Sequence, residues 1–318
     1  MNNQARLIPS PLTLAAALCV ASISGTLVAS NQNNQQIEQR YATAKTVAAS
    51  EPLTKEAVAA AIEQYVRARY AGDVETVKSR AHHDIARRAI ADNYWGQPSK
   101  EWVRPYTQDQ LGFYGDPNGP QRMDNPESGR CDIAVFDIEQ QTASARVIME
   151  DVVDYLHMIY VDGRWLIGDS AVIILDEPGG RVPALSQRHE EAVTKVSRDY
   201  CVGFYQTDGD KVQSTCHPSL SKRSVEHAKL SNGETFDYLS QITWEEINIL
   251  GQTFNTHWGF DDTARCEIEI YEIRGDIAAA KMTGSVWFDY FHLMRVNGEW
   301  SIVNIMYESL DKSRWTDV

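Results

Sequence analysis

Several signatures are missing from this chain, and each absence removes a class of chemistry. There is no Cys-x-x-Cys pair, no His-Glu-x-x-His, no phosphate-binding G-x-x-x-x-G-K-[ST] loop, no G-x-G-x-x-G turn and no Gly-x-Ser-x-Gly elbow. Zinc-ribbon or thioredoxin chemistry, zinc-dependent proteolysis, nucleotide hydrolysis, dinucleotide chemistry and serine acyl transfer therefore have no sequence basis. A basic excess is also missing. Thirty Lys and Arg face 44 Asp and Glu, a formal net charge of −14, which disfavours nucleic acid and anionic membrane surfaces as partners. Beyond the N-terminal segment, no run is long and apolar enough to cross a bilayer.

The N-terminus reads as a secretory signal peptide over 1–30. Arg6 precedes an apolar run from Leu12 to Val20, and small residues follow to Ala29 and Ser30. Leu18 stands before Cys19 where a lipidation signal calls for a small residue. The Asn/Gln-rich stretch within 31–50 reads as a flexible spacer. The mature protein is thus expected to be exported, periplasmic or extracellular, without a membrane segment. Four cysteines follow the leader: Cys131, Cys201, Cys216 and Cys266. An oxidising compartment permits disulfides, and four cysteines allow three pairings.

From Thr54, a good N-cap, apolar residues at Val58, Ile62, Tyr65, Val66 and Tyr70 fall at helical spacing. Gly72 ends that helix and Asp73 caps a second carrying Val74 and Val77. His82 lies just past it, before a third segment from Asp84 to Ile90. Residues 94–126, rich in Gly, Pro, Asn and aromatics, read as a long loop or broken strand. From Cys131 the pattern alternates as strands do, and a hairpin follows. The order of helices first and an antiparallel meander after them is that of an α+β domain.

The hairpin occurs twice, from Asp154 through Asp162-Gly163 to Trp165, and from Asp289 through Asn297-Gly298 to Trp300. Asp-Gly and Asn-Gly supply the positive φ angles of a two-residue turn. The offset is 135 residues (289 − 154 = 135), and the same subtraction pairs Tyr200 with Tyr65, Asp208 with Asp73, His217 with His82, Arg223 with Arg88 and Cys266 with Cys131. One offset held across helices, loop and sheet is a tandem domain duplication. The domains expected are 51–175 and 188–318, joined by a Pro/Gly-rich linker over 176–187.

Two local signatures carry a family resemblance. One is Tyr205, Asp208, Asp210, His217, Pro218, Leu220, Lys222 and Arg223. The other is Asp289, Tyr290, Leu293, Gly298, Trp300 and Ile302. With these, each half resembles the nuclear transport factor 2-like superfamily, and within it the putative lumazine-binding family, over about 54–175 and 188–310. The first half departs at His83, where Pro is usual, and at Ile85, where Leu is usual. The resemblance implies a curved antiparallel sheet with about three helices on its concave side, a cone with a pocket inside, and two such cones arranged as an intrachain pseudo-dimer. Ketosteroid isomerases, scytalone dehydratase-type enzymes, polyketide cyclases and members without activity share that fold, so function has to be read from the site.

Candidate site residues are His82 and His217 at helix ends facing the pocket mouth, His157 and His292 on the hairpin, and Asp154 and Asp289 beside them. Imidazoles titrate near neutrality and suit proton transfer. Tyr65, Tyr70, Tyr200 and Tyr205, with His82 and His217, are candidate ligand contacts, the phenols being able to donate to a developing oxyanion. The structural alternative for each His is a cap or a bond to backbone. Strand alternation places Asp289, Phe291 and Leu293 on one face and Tyr290, His292 and Met294 on the other, so Asp and His on one strand serve different faces. No metal is expected, because the adjacent His82, His83 and Asp84 do not suit one tetrahedral centre, and no cofactor is implied. If the domains pack about a pseudo-twofold axis, residues equivalent by the repeat meet only near it. That admits a Cys131–Cys266 disulfide, with Cys201–Cys216 as the other pair considered. The leading expectation is binding of a small, largely apolar or aromatic ligand without catalysis. The alternatives are a cofactor-independent dehydratase, isomerase or cyclase using His, Asp and Tyr, and a protein-interaction module. Homo-oligomers remain open.

Overall fold

The computed structural model describes residues 50–91, 101–119, 121–175, 179–180, 187–229 and 232–310. The expected signal peptide lies outside these residues, as do all but the last residue of the spacer and most of the linker. Within them the first domain runs α1 (Lys55–Ala71), α2 (Val74–Ser79), β1 (Ala81–Ala91), β2 (Trp102–Tyr106), α3 (Gln108–Gly112), β3 (Asp132–Glu139), β4 (Thr142–Ile148), β5 (Val152–Val161) and β6 (Arg164–Ile174). The second runs α4 (Gln187–Tyr205), α5 (Gly209–Ser214), β7 (Cys216–Lys229), β8 (Thr235–Ile242), α6 (Trp244–Trp258), β9 (Cys266–Arg274), β10 (Ile277–Gly284), β11 (Trp287–Val296) and β12 (Glu299–Ser309). No helix among the described residues is long and apolar enough to cross a membrane.

Local chemistry sets the element ends. The Thr54 hydroxyl accepts the Ala57 amide at the start of α1, Gly72 ends it at φ 74°, and Asp73 takes the Thr76 amide at the start of α2. Asp162 and Gly163 have φ of 50° and 78°, and Asn297 and Gly298 have 52° and 88°. Both hairpins therefore turn through two left-handed residues.

Each domain has one six-stranded sheet, in the orders β2-β1-β6-β5-β4-β3 and β8-β7-β12-β11-β10-β9. All neighbours are antiparallel except β1 with β6 and β7 with β12. The sheets are therefore mixed rather than wholly antiparallel. The segment from Asp84 to Ile90 belongs to strand β1. The third helix of each domain comes later, as short α3 or longer α6. This corrects the expected order of helices before meander.

Alternation sorts the two faces as expected. Leu156 and Met158 join the core under α1, and Phe291 and Leu293 join the core under α4. The opposite faces pack against each other. Val153, Tyr155 and Ala171 of the first sheet meet Met294 and Val296 of the second. Phe288, Tyr290 and Met306 of the second meet Ile159 and Val161 of the first. The two clusters are images of one another under the 135-residue offset, so the domains form a pseudo-dimer with the sheets back to back.

The polar contacts across this interface repeat in the same way. Asp137 accepts from Lys281 at 2.8 Å and from Tyr290 at 2.8 Å, while Glu272 accepts from Arg146 at 2.8 Å and from Tyr155 at 2.9 Å. Arg88 donates to the Ser219 carbonyl at 3.3 Å, and its counterpart Arg223 donates to the Asp84 carbonyl. On the axis itself the rings of His157 and His292 stack at 3.6 Å and 17°, both fully buried. A second repeat-related pair, Phe136 and Tyr271, also stacks, at 5.3 Å and 13°. Cys131 packs on the first core and Cys266 on the second, all four described cysteines are free thiols, and the expected Cys131–Cys266 bridge is therefore not formed.

Candidate functional site

The concave face of each sheet carries one buried carboxylate. In the first cone Asp154 projects from β5, and its two oxygens accept from Arg87 of β1 and Ser170 of β6, with Arg87 also 3.0 Å from the Ser170 hydroxyl. In the second, Asp289 accepts from Lys222 of β7 at 2.5 Å and from the Trp287 indole at 2.8 Å. Lys222 also lies 4.1 Å from the Tyr307 ring centroid. Burial lowers the Lys222 pKa against the pull of Asp289. Burial, reinforced by Asp289, pushes the Tyr200 phenol well above its ordinary value.

Tyr65 and Tyr200 are buried in the cores of the two domains. Tyr65, Arg87, Asp154 and Ser170 are at most 2% exposed, and Tyr200 and Asp289 are fully buried. That leaves no room for a water molecule beside them. Two surface depressions, one along Glu190, Lys195 and Arg198 of α4 and one along Arg67 and Asp73, lie outside the cones.

Tyr70 and Tyr205 do a different job. Tyr70 donates to the Arg130 carbonyl at 2.7 Å and accepts the Glu150 amide at 3.0 Å. Tyr205 donates to the Arg265 carbonyl at 2.6 Å and accepts the Ser285 amide at 2.9 Å. Burial raises both phenols to about 12. They clamp the first helix of each domain to its sheet.

The histidines lie outside the cone interiors. His82 and His217 open strands rather than ending helices, and each Nδ1 accepts the amide two residues on, from Asp84 at 3.2 Å and Ser219 at 3.0 Å. Burial, with the charges of His83 and Arg223, brings His82 down to about 4. Burial and Arg88 lower His217. His157 and His292 sit on the axis behind the cones, with Nδ1 3.5 Å from Asp169 and 3.4 Å from Asn304. The structure thus brings Asp and Tyr to the cone and keeps His away from both.

Among the described residues His82, His83 and Asp84 are the group whose potential metal-ligand atoms lie close together, within 4.8 Å. They are consecutive, His83 and Asp84 are exposed, and His82 has its Nδ1 occupied and lies in the field of Arg223 and Arg164. That positive field opposes a cation.

The cones differ at their rims. In the second, Phe204 and Trp287 pack with Phe254 of α6, the last pair at 4.8 Å. Half-buried Trp258 and Phe260 stack at 5.8 Å and 14°, and Phe260 meets Tyr205 edge-on at 5.4 Å. Buried Asn255 holds this group, donating to the Tyr205 carbonyl at 2.5 Å and the Phe260 carbonyl at 2.7 Å while accepting the Phe260 amide. The first cone has Arg69 at the place of Phe204, bound to Asp151 at 2.5 Å and to the Met149 sulfur. By the 135-residue offset Met123 stands opposite Trp258 and Asn125 opposite Phe260 in the sequence alone, since a loop there replaces the end of α6. Sequence reasoning missed this rim because it lies in the middle of each half, where the copies share little sequence.

No curated protein matches this chain. Among solved structures it is similar to an NTF2-like protein of unknown function from Shewanella baltica OS155, at 14% identity and TM-score 0.31, covering 41% of this chain and 99% of that one. It is similar to another of unknown function from Methylobacillus flagellatus KT, at 15% identity and TM-score 0.31, covering 42% and 100%. A ketosteroid isomerase-like protein from Erwinia carotovora atroseptica SCRI1043 matches at 13% identity and TM-score 0.29, covering 40% and 99%. A family model described as Putative lumazine-binding matches twice, over residues 53–169 and 188–308. With two sheets of one topology and those two matches together spanning most of its length, the chain belongs to the Putative lumazine-binding family, as a tandem pair of its domains.

Proposed function

We propose that this protein acts by binding rather than catalysis, and that its ligand is a small planar aromatic or largely apolar molecule taken up at the aromatic rim of the second cone. The observation that carries this reading is the ring cluster of Phe204, Phe254, Trp258, Phe260 and Trp287, half-buried at Trp258 and Phe260. Aromatic faces and edges attract flat heterocycles, and a pteridine of the kind in the family's name has that shape. Against proton-transfer catalysis, every oxygen of Asp154 and Asp289 is already taken by a donor. Each carboxylate lies behind filled space, and the histidines point elsewhere. A general base has to come within hydrogen-bond reach of the proton it abstracts, and these buried, ion-paired carboxylates are held away from the surface.

The test is calorimetric titration of the purified protein with lumazine and a free flavin, supported by saturation-transfer NMR. Saturable binding that Trp258→Ala abolishes and Met123→Ala leaves intact is the expected result. Absence of binding to both probes, or equal binding by both variants, would sink the proposal. A second reading, a protein-interaction module, is favoured by the filled cone interiors. Export remains part of the proposal. Its test is fractionation with N-terminal sequencing, the expected cleavage lying near Ala29 and Ser30.

A further inference from the structure

We propose that Cys201 and Cys266 form an oxidisable pair that closes into a disulfide joining α4 to β9 in the second domain. Cys201 lies one helical turn before Tyr205, whose hydroxyl donates to the Arg265 carbonyl at 2.6 Å and accepts the Ser285 amide at 2.9 Å. The backbone directly before Cys266 is thus pinned to the turn of helix that carries Cys201. Cys201 is buried in the second core and Cys266 packs against that core, and each thiol shifts the other's ionisation, Cys201 upward and Cys266 downward. Gly284 lies opposite Cys266 in the ladder, and the Trp287 indole packs where a side chain at Gly284 would stand.

The first domain provides an internal comparison. Tyr70 makes the same clamp, to Arg130 and Glu150. There the position of Cys201 is held by Val66 (201 − 135 = 66), so Cys131 faces a valine instead of a thiol. The remaining buried thiol, Cys216, opens β7 beside the Thr215 hydroxyl at 3.7 Å. The thiol pair therefore occurs only where the clamp and both cysteines coincide.

The chemistry follows from the two environments. Cys266 is the more accessible, and the Cys201 thiol favours its thiolate. The Cys266 thiolate attacks one sulfur of a disulfide oxidant, expelling a thiolate and forming a mixed disulfide. Cys201 then loses its proton and attacks the Cys266 sulfur, expelling the second half of the oxidant. One S–S bond forms, one breaks, and the oxidant gains two electrons and two protons as two thiols. The bond would hold α4 against the sheet next to Phe204, closing a loop between residues 65 apart (266 − 201 = 65).

The experiment equilibrates the full chain with oxidised glutathione, then denatures and alkylates it. Of the five cysteines, three should be alkylated (5 − 2 = 3), all five after reduction, and peptide mapping should return a Cys201–Cys266 linkage. Cys201→Val, which installs the residue the first domain already uses, should keep the fold and leave all four of its remaining thiols alkylated after oxidation (5 − 1 = 4). It should also remove the reductant-sensitive shift in melting temperature. Five reactive thiols after oxidation, or a Cys201–Cys216 linkage, overturns the proposal.

Discussion

Acidifying the protein from pH 6 to pH 4 should remove about 3 kcal/mol of stability through three groups on the pseudo-twofold axis. Burial drives His157 from 6.5 down to about 3, and burial together with the neighbouring His157 ring drives His292 well below 6.5. The unfolded chain protonates both rings near 6.5 and the folded one refuses them. Their contribution is therefore full above 6.5 and is lost as pH falls towards the folded values. Asp169 works the other way. Burial raises it from 3.8 to about 6, against the pull of Arg223, His292 and Arg88. Its contribution is full below 3.8 and is lost as pH rises through 6. Between pH 6 and pH 4 the unfolded chain holds two more protons on the imidazoles and the folded chain one more on Asp169. The net difference of one proton is worth about 1.4 kcal/mol per pH unit.

Substitutions change that proton count in known directions. Asp169→Asn, which copies the Asn304 found at the equivalent place, makes the difference two and the loss about 5 kcal/mol. His157→Gln makes it zero for these groups. Urea denaturation of the three proteins at pH 6, 5 and 4 measures the slopes, and titration of other carboxylates cancels in the comparison. Parallel stability curves for the parent and Asp169→Asn would refute the reasoning.

Gly251→Ala should destabilise by about 1–3 kcal/mol, since overpacking a tight contact has that cost. A Cβ there would lie 2.8 Å from the Gly209 Cα, where α6 crosses α5, and a chemical denaturation midpoint reads the effect. Asp154→Ala leaves the Arg87 guanidinium buried without its counter-ion and should cost on the order of 3–5 kcal/mol. Arg87→Lys, which installs the cation the second domain carries as Lys222, should cost less than about half of that, both read by thermal unfolding.

The features legible in the sequence were those set by local chemistry. Asp162-Gly163 and Asn297-Gly298 dictate their turns, Thr54, Gly72 and Asp73 dictate helix ends, and alternation on β11 separates Asp289 from His292. What was misread depends on tertiary pairing. Arg87, a core residue of β1, reads as polar because its neutralising partner Asp154 is 67 positions away, and this hid the strand. Which repeat-related residues reach the axis is likewise set by how the sheets cross. A pairing rule based on symmetry therefore pointed to Cys131 and Cys266, when the pairs that meet include His157 with His292 and Phe136 with Tyr271. The aromatic rim of α6 was out of reach for a related reason, since it lies where the two copies diverge.

The fused pseudo-dimer has a consequence for what a mutation can do. In a pair of identical chains every substitution on the axis appears twice, so a carboxylate beside the stacked imidazoles would bring a second within a few ångströms and the two would repel. One continuous chain escapes that doubling. It carries a single carboxylate, Asp169, on one side of the stack and the neutral amide of Asn304 on the other. The same freedom lets one copy keep the Arg69–Asp151 pair while the other places Phe204 there among other rings. Joining the copies thus lets each half diverge without the change being imposed on its twin.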